Sequence, residues 1–266
     1  MAVTNIYLTA GIRDNLFSLQ KTEEAMQVTQ QRLATGLKVN SALDDPISFF
    51  AAQAHRQRAA DLSLLKDGMN EAIQTVQAAN TGIEGLTSLI AQIKSLVTAS
   101  QTADAAGQAL LDAQYAELLV QTTALATDSN YKGSNLLDVA QSLVINFDES
   151  GTNTLTIAGV DVTNATLGID SLDLTDAAAS NTALDAALST LRSTAQTLSS
   201  NLAIVTARLD FTQNMINTLE TGADNLTLAD MNEESANMLM LQTRQALGTS
   251  SLGMASDAAQ SILRLF

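Results

Sequence analysis

Residues 184–219 read LDAALSTLRSTAQTLSSNLAIVTARLDFTQNMINTL. Apolar side chains fall at Leu184, Leu188, Leu191, Ala195, Leu198, Leu202, Val205, Leu209, Ile216 and Leu219, and only Thr212 breaks the alternation of fours and threes. A repeat averaging about 3.5 residues keeps one stripe of a helix turned to a partner helix, the coiled-coil pattern. A matching partner lies in the other half of the chain. Leu62, Met69, Val76, Ile83, Ile90 and Val97 recur every seven residues, with Leu65, Ala72, Ala79, Leu86 and Ile93 three further on. Two long heptad helices, one from each half, are expected to pack together as a rod.

The bulk composition agrees with a thin helical bundle. Aromatics are 3% of 266 residues, and there is no Trp. Large aromatic side chains dominate the cores of compact globular domains, so a core of Leu, Ile, Val, Met and Ala suits packed helices better. A single proline leaves few interior helix breakers. The net charge of −15 is concentrated in the middle, where residues 101–178 hold one Lys or Arg against eleven Asp or Glu. That acidity marks a water-facing region and argues against nucleic acid and anionic membrane surfaces as partners. With no cysteine and one histidine, disulfides, thiolate sites and multi-histidine metal motifs are not expected, and no cofactor is implied. The opening MAVTNIYLTAGIRDNL lacks the basic and apolar regions of a Sec signal, and no apolar run reaches eighteen residues, so no membrane insertion is expected.

Taken in order, the chain divides as follows. Residues 4–34 read as a helix with Ile12, Leu16, Leu19, Met26, Leu33 and Leu37 as its ladder, Glu23 and Gln30 filling two slots. Residues 1–45 form a terminal helix plus the connector TGLKVNSALDD (35–45). Asp45 can cap the next helix, and Pro46 sits at its first position, where a missing N–H costs nothing. That helix should run to about Ala99, roughly 80 Å at 1.5 Å per residue. Gly68, Gly82 and Gly85 inside it are read as points of close helix approach. A further helix at about 108–128 precedes the turn NYKGSNLLD (130–138). LVINF (143–147) and LTI (155–157), with GVDVT after them, predict a small β-hairpin or meander within 141–170, so residues 46–175 make the first part of the rod. The rod helix at 176–221, a connector at Gly222–Leu228 and a last helix from Ala229 complete the chain, with 222–266 as the second terminal segment. The fold class is therefore mainly α, with long nested antiparallel helices and a small hairpin in the middle.

The last helix is apolar around its circumference, with Met238, Leu239, Met240, Leu241, Leu247, Leu252, Ile262, Leu263, Leu265 and Phe266. Such a helix wants burial on more than one side, which a single partner helix does not supply. The remaining neighbours are expected from other copies of the chain. The candidate assembly residues are accordingly Ile12, Leu16, Leu19, Met238, Leu241, Leu252, Ile262 and Phe266, with Arg32, Arg56, Arg58 and Arg208 as cations for Glu233 and Glu234 of a neighbouring copy. Paired Asp44–Asp45 reads as helix capping, and Glu233–Glu234 also suits the positive end of a helix dipole. The Met231–Met240 stretch suits either an adaptable interface or ordinary packing. His55 has no nucleophile or carboxylate motif around it, so no catalytic residues are expected. Of two sequons, Asn164-Ala-Thr and Asn225-Leu-Thr, the second falls in the expected connector; Ser or Thr within 141–170 is the preferred place for glycosylation.

RLATGLKVNSALDD (32–45) resembles the conserved segment of the bacterial flagellins, and the resemblance continues through DGMNEAIQTVQAANTGIEGL (67–86) and NYKGSNLL (130–137), where Lys132 stands in place of the usual Asn. LSSNLAIVTARLDFTQNMINTLETGADNLTLADMNEESANM (198–238) and the ending ALGTSSLGMASDAAQSILRLF (246–266) are similar to the family's carboxy-terminal helices. The resemblance implies a structural subunit, not an enzyme, that self-assembles into the hollow helical filament of the flagellum for swimming. It implies terminal helices lining an inner tube, a rod domain outside it, and minimal outer domains here. It also implies type III export to the cell exterior, with other flagellin copies, the filament cap, junction proteins and an export chaperone as partners. A hook–filament junction protein is the alternative. LIAQIKSLVT (89–98) aligns with the face many flagellins present to the vertebrate flagellin receptor, but Gln92 and Ser95 replace charged residues. Weak or absent receptor activation is the expectation.

Overall fold

The computed structural model describes residues 10–263. Its elements are α1 (Ala10–Thr35), α2 (Pro46–Ser100), α3 (Ala105–Asp128), β1 (Ser142–Asn146), β2 (Thr154–Ala158), α4 (Ala177–Thr227) and α5 (Met231–Leu263). Two compact units result, one from residues 58–218 and the other from residues 1–57 with 219–266. The start of the expected first helix, residues 4–9, lies outside the described residues.

In the central unit the heptad stripes meet as the sequence requires. Met69, Val76, Leu86, Ile90, Ile93 and Val97 of α2 are fully buried, and Leu184, Leu191, Leu198 and Val205 of α4 are buried with them in one core. Thr212, the break in the apolar pattern, is 3% exposed. Lys94 Nζ pairs with Asp185 at 2.6 Å, and Lys66 Nζ donates to Gln213 at 3.0 Å. Those two contacts fix the antiparallel sense of α2 and α4.

The remainder of this unit seals the same core. β1 and β2 pair antiparallel, Leu143 opposite Ile157 and Ile145 opposite Leu155, which turns Ile145 and Ile157 inward. Val160 and Val162 pack on the core without extending the sheet, so the hairpin does not become a meander. α3 starts on Asp104, whose side chain accepts from the Gly107 N–H at 2.8 Å. Its other end is held by buried Asn135, which donates to the Ala126 carbonyl at 2.8 Å and accepts from the Leu137 N–H at 2.9 Å. The NYKGSNLL segment is thus a helix stop that delivers Leu136 and Leu137 to the core. A Cβ on Gly82 would collide with the Ser129 side chain, and one on Gly85 would lie 2.7 Å from Leu125 Cδ2. These two glycines are the expected close approaches. Gly68 is not, because a Cβ there meets open space.

Tyr115 is the lock on residues 169–172. Its buried hydroxyl donates to the Ile169 carbonyl and accepts from the Leu172 N–H; burial, outweighing that N–H, raises its pKa. Tyr115→Phe leaves both backbone groups without this partner. A loss of about 1–3 kcal/mol is expected in urea unfolding, with faster amide exchange at Leu172 than in the parent chain.

The terminal unit begins its long helix as foreseen. Asp45 Oδ1 accepts from the Ile47 and Ser48 N–H groups at 3.0 and 3.2 Å, and Pro46 opens α2. The hydrogen bonds from Ser48 hold the Asp45 carboxyl below its usual pKa. A depressed carboxylate contributes stability above its unfolded pKa and loses that contribution as pH falls through the folded value. Protection of the Ile47 and Ser48 amides, taken relative to intrinsic exchange at each pH, is therefore expected to fall below about pH 4, and protection unchanged in acid would contradict the cap.

One boundary differs from the sequence reading. α4 does not stop at Gly222 but runs to Thr227, because Ala223 is fully buried and Thr227 Oγ1 bonds back to the Ala223 carbonyl. The link to α5 is only residues 228–230. There Leu228 bridges Leu37, the Lys38 N–H donates to the Thr227 carbonyl, and the Ala229 N–H donates to the Gly36 carbonyl. Asp230 then caps α5 through the Asn232 N–H at 2.8 Å.

Candidate assembly surface

α1 and α5 pack antiparallel in the terminal unit, shown by Asn15 reaching Gly248, Glu23 reaching Gln245 and Arg32 reaching Glu234. The buried or half-buried positions of α1 are Ile12, Asn15, Leu19, Thr22, Met26, Thr29, Arg32 and Leu33, and all but Arg32 follow one stripe. The ladder is therefore one residue away from the expected one in every second slot. Asn15, Thr22 and Thr29 take the places assigned to Leu16, Glu23 and Gln30. The helices approach closely at Gly248, where a Cβ would stand 2.6 Å from Leu19 Cδ2 and 3.7 Å from Asn15 Oδ1. Thr22 also satisfies its own hydroxyl, donating to the Ser18 carbonyl at 2.8 Å. On α5 the facing stripe is Glu234, Met238, Leu241, Gln245, Gly248, Leu252 and Ala255, again in fours and threes.

Several candidate assembly residues are thus occupied within the chain. Leu241 is buried, and Ile12, Leu19, Met238 and Leu252 are half-buried in the α1–α5 seam; Leu16 is exposed. The Ile262 side chain and Phe266 lie outside the described residues. Arg32 Nη1 meets Glu234 Oε1 at 2.8 Å inside one molecule, where the sequence suggested a bridge between copies. Burial explains it: the Glu234 side chain is 8% exposed, so its charge needs a partner in the same fold. Glu233 stays exposed. Arg56 bonds Thr227 at 2.9 Å and pairs with Asp224 at 3.5 Å, Arg58 pairs with Glu149 at 2.9 Å, and Arg208 lies over the Phe147 ring at 5.3 Å.

Replacing Arg32 with Met leaves Glu234 buried and unpaired. The pair is half-open on the arginine side, so the expected cost lies between exposed and buried pairs, about 1–3 kcal/mol. Faster proteolysis within α5 and unchanged unfolding of the central unit are the expected readouts.

The outward faces of this unit carry what the seam lacks. Twelve of the nineteen exposed large hydrophobic side chains among the described residues belong to it: Phe17, Val28, Leu239, Met240, Leu247 and Met254 on the two paired helices, with Leu16, Leu43, Ile47, Phe50, Leu228 and Met231. Thr22, Thr29 and Glu234 are inside while Phe17, Leu239 and Leu247 are outside. That inversion of the usual pattern leaves a broad apolar surface uncovered. Met231 and Met240 are exposed and Met238 is half-buried, so the Met-rich stretch serves both seam and surface. The sequence reading missed Leu43, in the stretch read as connector, and Ile47 and Phe50, in the first turns of the expected next helix.

Other candidate chemistry is accounted for by packing. Asp44 accepts from the Asn40 and Ser41 N–H groups, which hold its pKa down, Ser41 foremost. Among the described residues no group of His, Asp and Glu is arranged to hold a metal, and no helix is long and apolar enough to cross a membrane. The Asn164 amide donates to the Leu119 carbonyl at 2.8 Å and the Thr123 hydroxyl at 3.0 Å, so this sequon is tied into the fold. Asn225 is exposed in the last turns of α4, not in a buried connector. In the hairpin, Ser142, Thr154 and Thr156 are exposed, while Ser150 and Thr152 donate to Asp148.

Comparison with known proteins follows the same lines. The family model described as the bacterial flagellin N-terminal helical region matches residues 13–142. Flagellin FljK of Caulobacter vibrioides is 28% identical over 278 aligned residues, covering 100% of both chains. A flagellin of Brucella melitensis is 26% identical, covering 94% of this chain and 95% of its own. The crystal structure of Bacillus cereus flagellin superposes with a TM-score of 0.49 at 19% identity, over 55% of this chain and 88% of that one.

Proposed function

We propose that this chain, which matches the bacterial flagellin N-terminal helical region at residues 13–142, is a flagellin filament subunit that polymerises through its terminal unit to support swimming. One observation carries the reading. The α1–α5 pair turns Asn15, Thr22, Thr29 and Glu234 into its own seam and leaves Phe17, Val28, Leu239, Met240, Leu247 and Met254 exposed. Such a surface is a liability in an isolated molecule and an asset in a polymer.

The flagellar exterior is the site of action in this proposal, reached by type III export with a chaperone, and the cap and junction proteins are its further partners. Exposed Ser142, Thr154 and Thr156 are the hairpin positions open to glycosylation. Gln92 and Ser95 are exposed on α2, which supports weak recognition by the vertebrate receptor, since neither supplies a charge-assisted contact.

The test is seeded growth. Purified chain added to sheared filament fragments should extend them into helical filaments visible by electron microscopy. Absence of growth on competent seeds overturns the proposal. Immunogold labelling of native flagella separates the junction alternative: label along the filament supports the subunit reading, and label confined to the base supports the junction protein.

A further inference from the structure

The terminal unit carries two exposed apolar features of different shape and opposite charge. The first is a ridge. Leu43 in the turn before α2, and Ile47 and Phe50 in its first turns, are 95%, 84% and 59% exposed and follow one another at intervals of four and three. The Phe50 ring is edge-packed against Phe49 at 5.5 Å, which fixes its direction. Asp44 and Asp45 lie beside the ridge and give this edge two carboxylates, each accepting backbone N–H groups, with Arg32 close enough to act electrostatically on Asp44 and Lys38 on Asp45. The second feature is a shallow, open apolar hollow of about 480 Å³ on the face of α5, lined by Ala236, Leu239, Met240, Thr243, Arg244 and Leu247. Leu239 and Leu247 are its exposed walls, and Met240 adds a side chain that repacks easily. Arg244 is exposed and has no carboxylate partner among the described residues.

We propose that the Leu43–Ile47–Phe50 ridge of one copy seats in the α5 hollow of a second copy, with Arg244 facing the Asp44–Asp45 edge. A second copy is the occupant because one chain offers both halves, matched in apolar character and in charge. Two different patches that bind each other make a head-to-tail contact, which propagates into a helical polymer when the rotation does not close. This inference rests on the assembly reading and names its contact.

Because the chain contains no cysteine, cross-linking reads the contact directly. Chains carrying Ile47→Cys and chains carrying Met240→Cys are copolymerised, each as a minority with the parent chain, and oxidised with copper phenanthroline. The oxidant takes two electrons and two protons from the thiol pair as the S–S bond forms. A covalent dimer that needs both variants is expected, with none from Val144→Cys paired with Met240→Cys. As a second measurement, Ile47→Glu and Arg244→Glu should each raise the critical concentration for seeded growth at least tenfold, with unchanged circular dichroism, and Arg244→Lys should restore most of it. Filaments that form normally but give no mixed dimer, or growth of Ile47→Glu at the parent concentration, overturn the ridge-and-hollow contact. Failure of the parent chain itself to extend seeds overturns the assembly reading instead.

Discussion

Deleting residues 229–266 is expected to abolish filament growth completely while leaving a monomer with an intact central unit. α5 supplies half of the terminal seam, including buried Leu241 and the Glu234 that holds Arg32. It also supplies Leu239, Met240, Leu247 and Met254 of the outer surface. The core formed by residues 69–205 is separate from it, so the cooperative thermal transition of that unit should persist. Sedimentation should show a monomer under conditions in which the full chain extends seeds. Filament growth by the truncated chain would exclude the last helix as an assembly element.

Ile90→Asp is expected to have the largest effect on stability. Ile90 is fully buried in the α2 stripe among Leu86, Ile93 and Val97. Losing a buried aliphatic side chain costs about 2–5 kcal/mol, and an unpaired carboxylate in that position adds several more. Whole domains are stable by only about 5–15 kcal/mol, so the variant should lose most of the cooperative unfolding of the central unit. Leu43→Glu is the contrast. That side chain is 95% exposed, so the melting midpoint should move little although assembly suffers. A melting midpoint for Ile90→Asp within a few degrees of the parent would refute the heptad core.

The success and failure of the sequence reading follow one rule. In α2 and α4 the seven-residue repeat is filled almost entirely by Leu, Ile, Val, Met and Ala, and no other stripe of either helix competes with it. Burial then follows period, and even Thr212 is carried inside by its place in the repeat. In α1 two stripes compete. Leu16 with Glu23 and Gln30 offered one alternative, Asn15 with Thr22 and Thr29 the other, and neither is strongly apolar. Hydrophobicity favoured Leu16. The helix pairing turned the Asn15, Thr22 and Thr29 stripe inward, where Thr22 satisfies its own hydroxyl on the Ser18 carbonyl and Asn15 donates to the Gly248 carbonyl. Gly222 misled in the same way: glycine disfavours a helix locally by about 1 kcal/mol, but burial of Ala223 and Thr227 carries α4 through it.

By itself, then, the sequence determined the long antiparallel helices, the hairpin, the Asp45 cap and the resemblance to the flagellins, because these depend on repeat period, local hydrogen-bond chemistry and motifs read along the chain. Tertiary structure alone decided which face of α1 turns inward, that Arg32 serves Glu234 of the same molecule, and that Leu43, Ile47 and Phe50 stand uncovered. Each of those depends on how near a second helix comes and on what charge it buries, and neither distance nor desolvation is written in the spacing of residues on one helix.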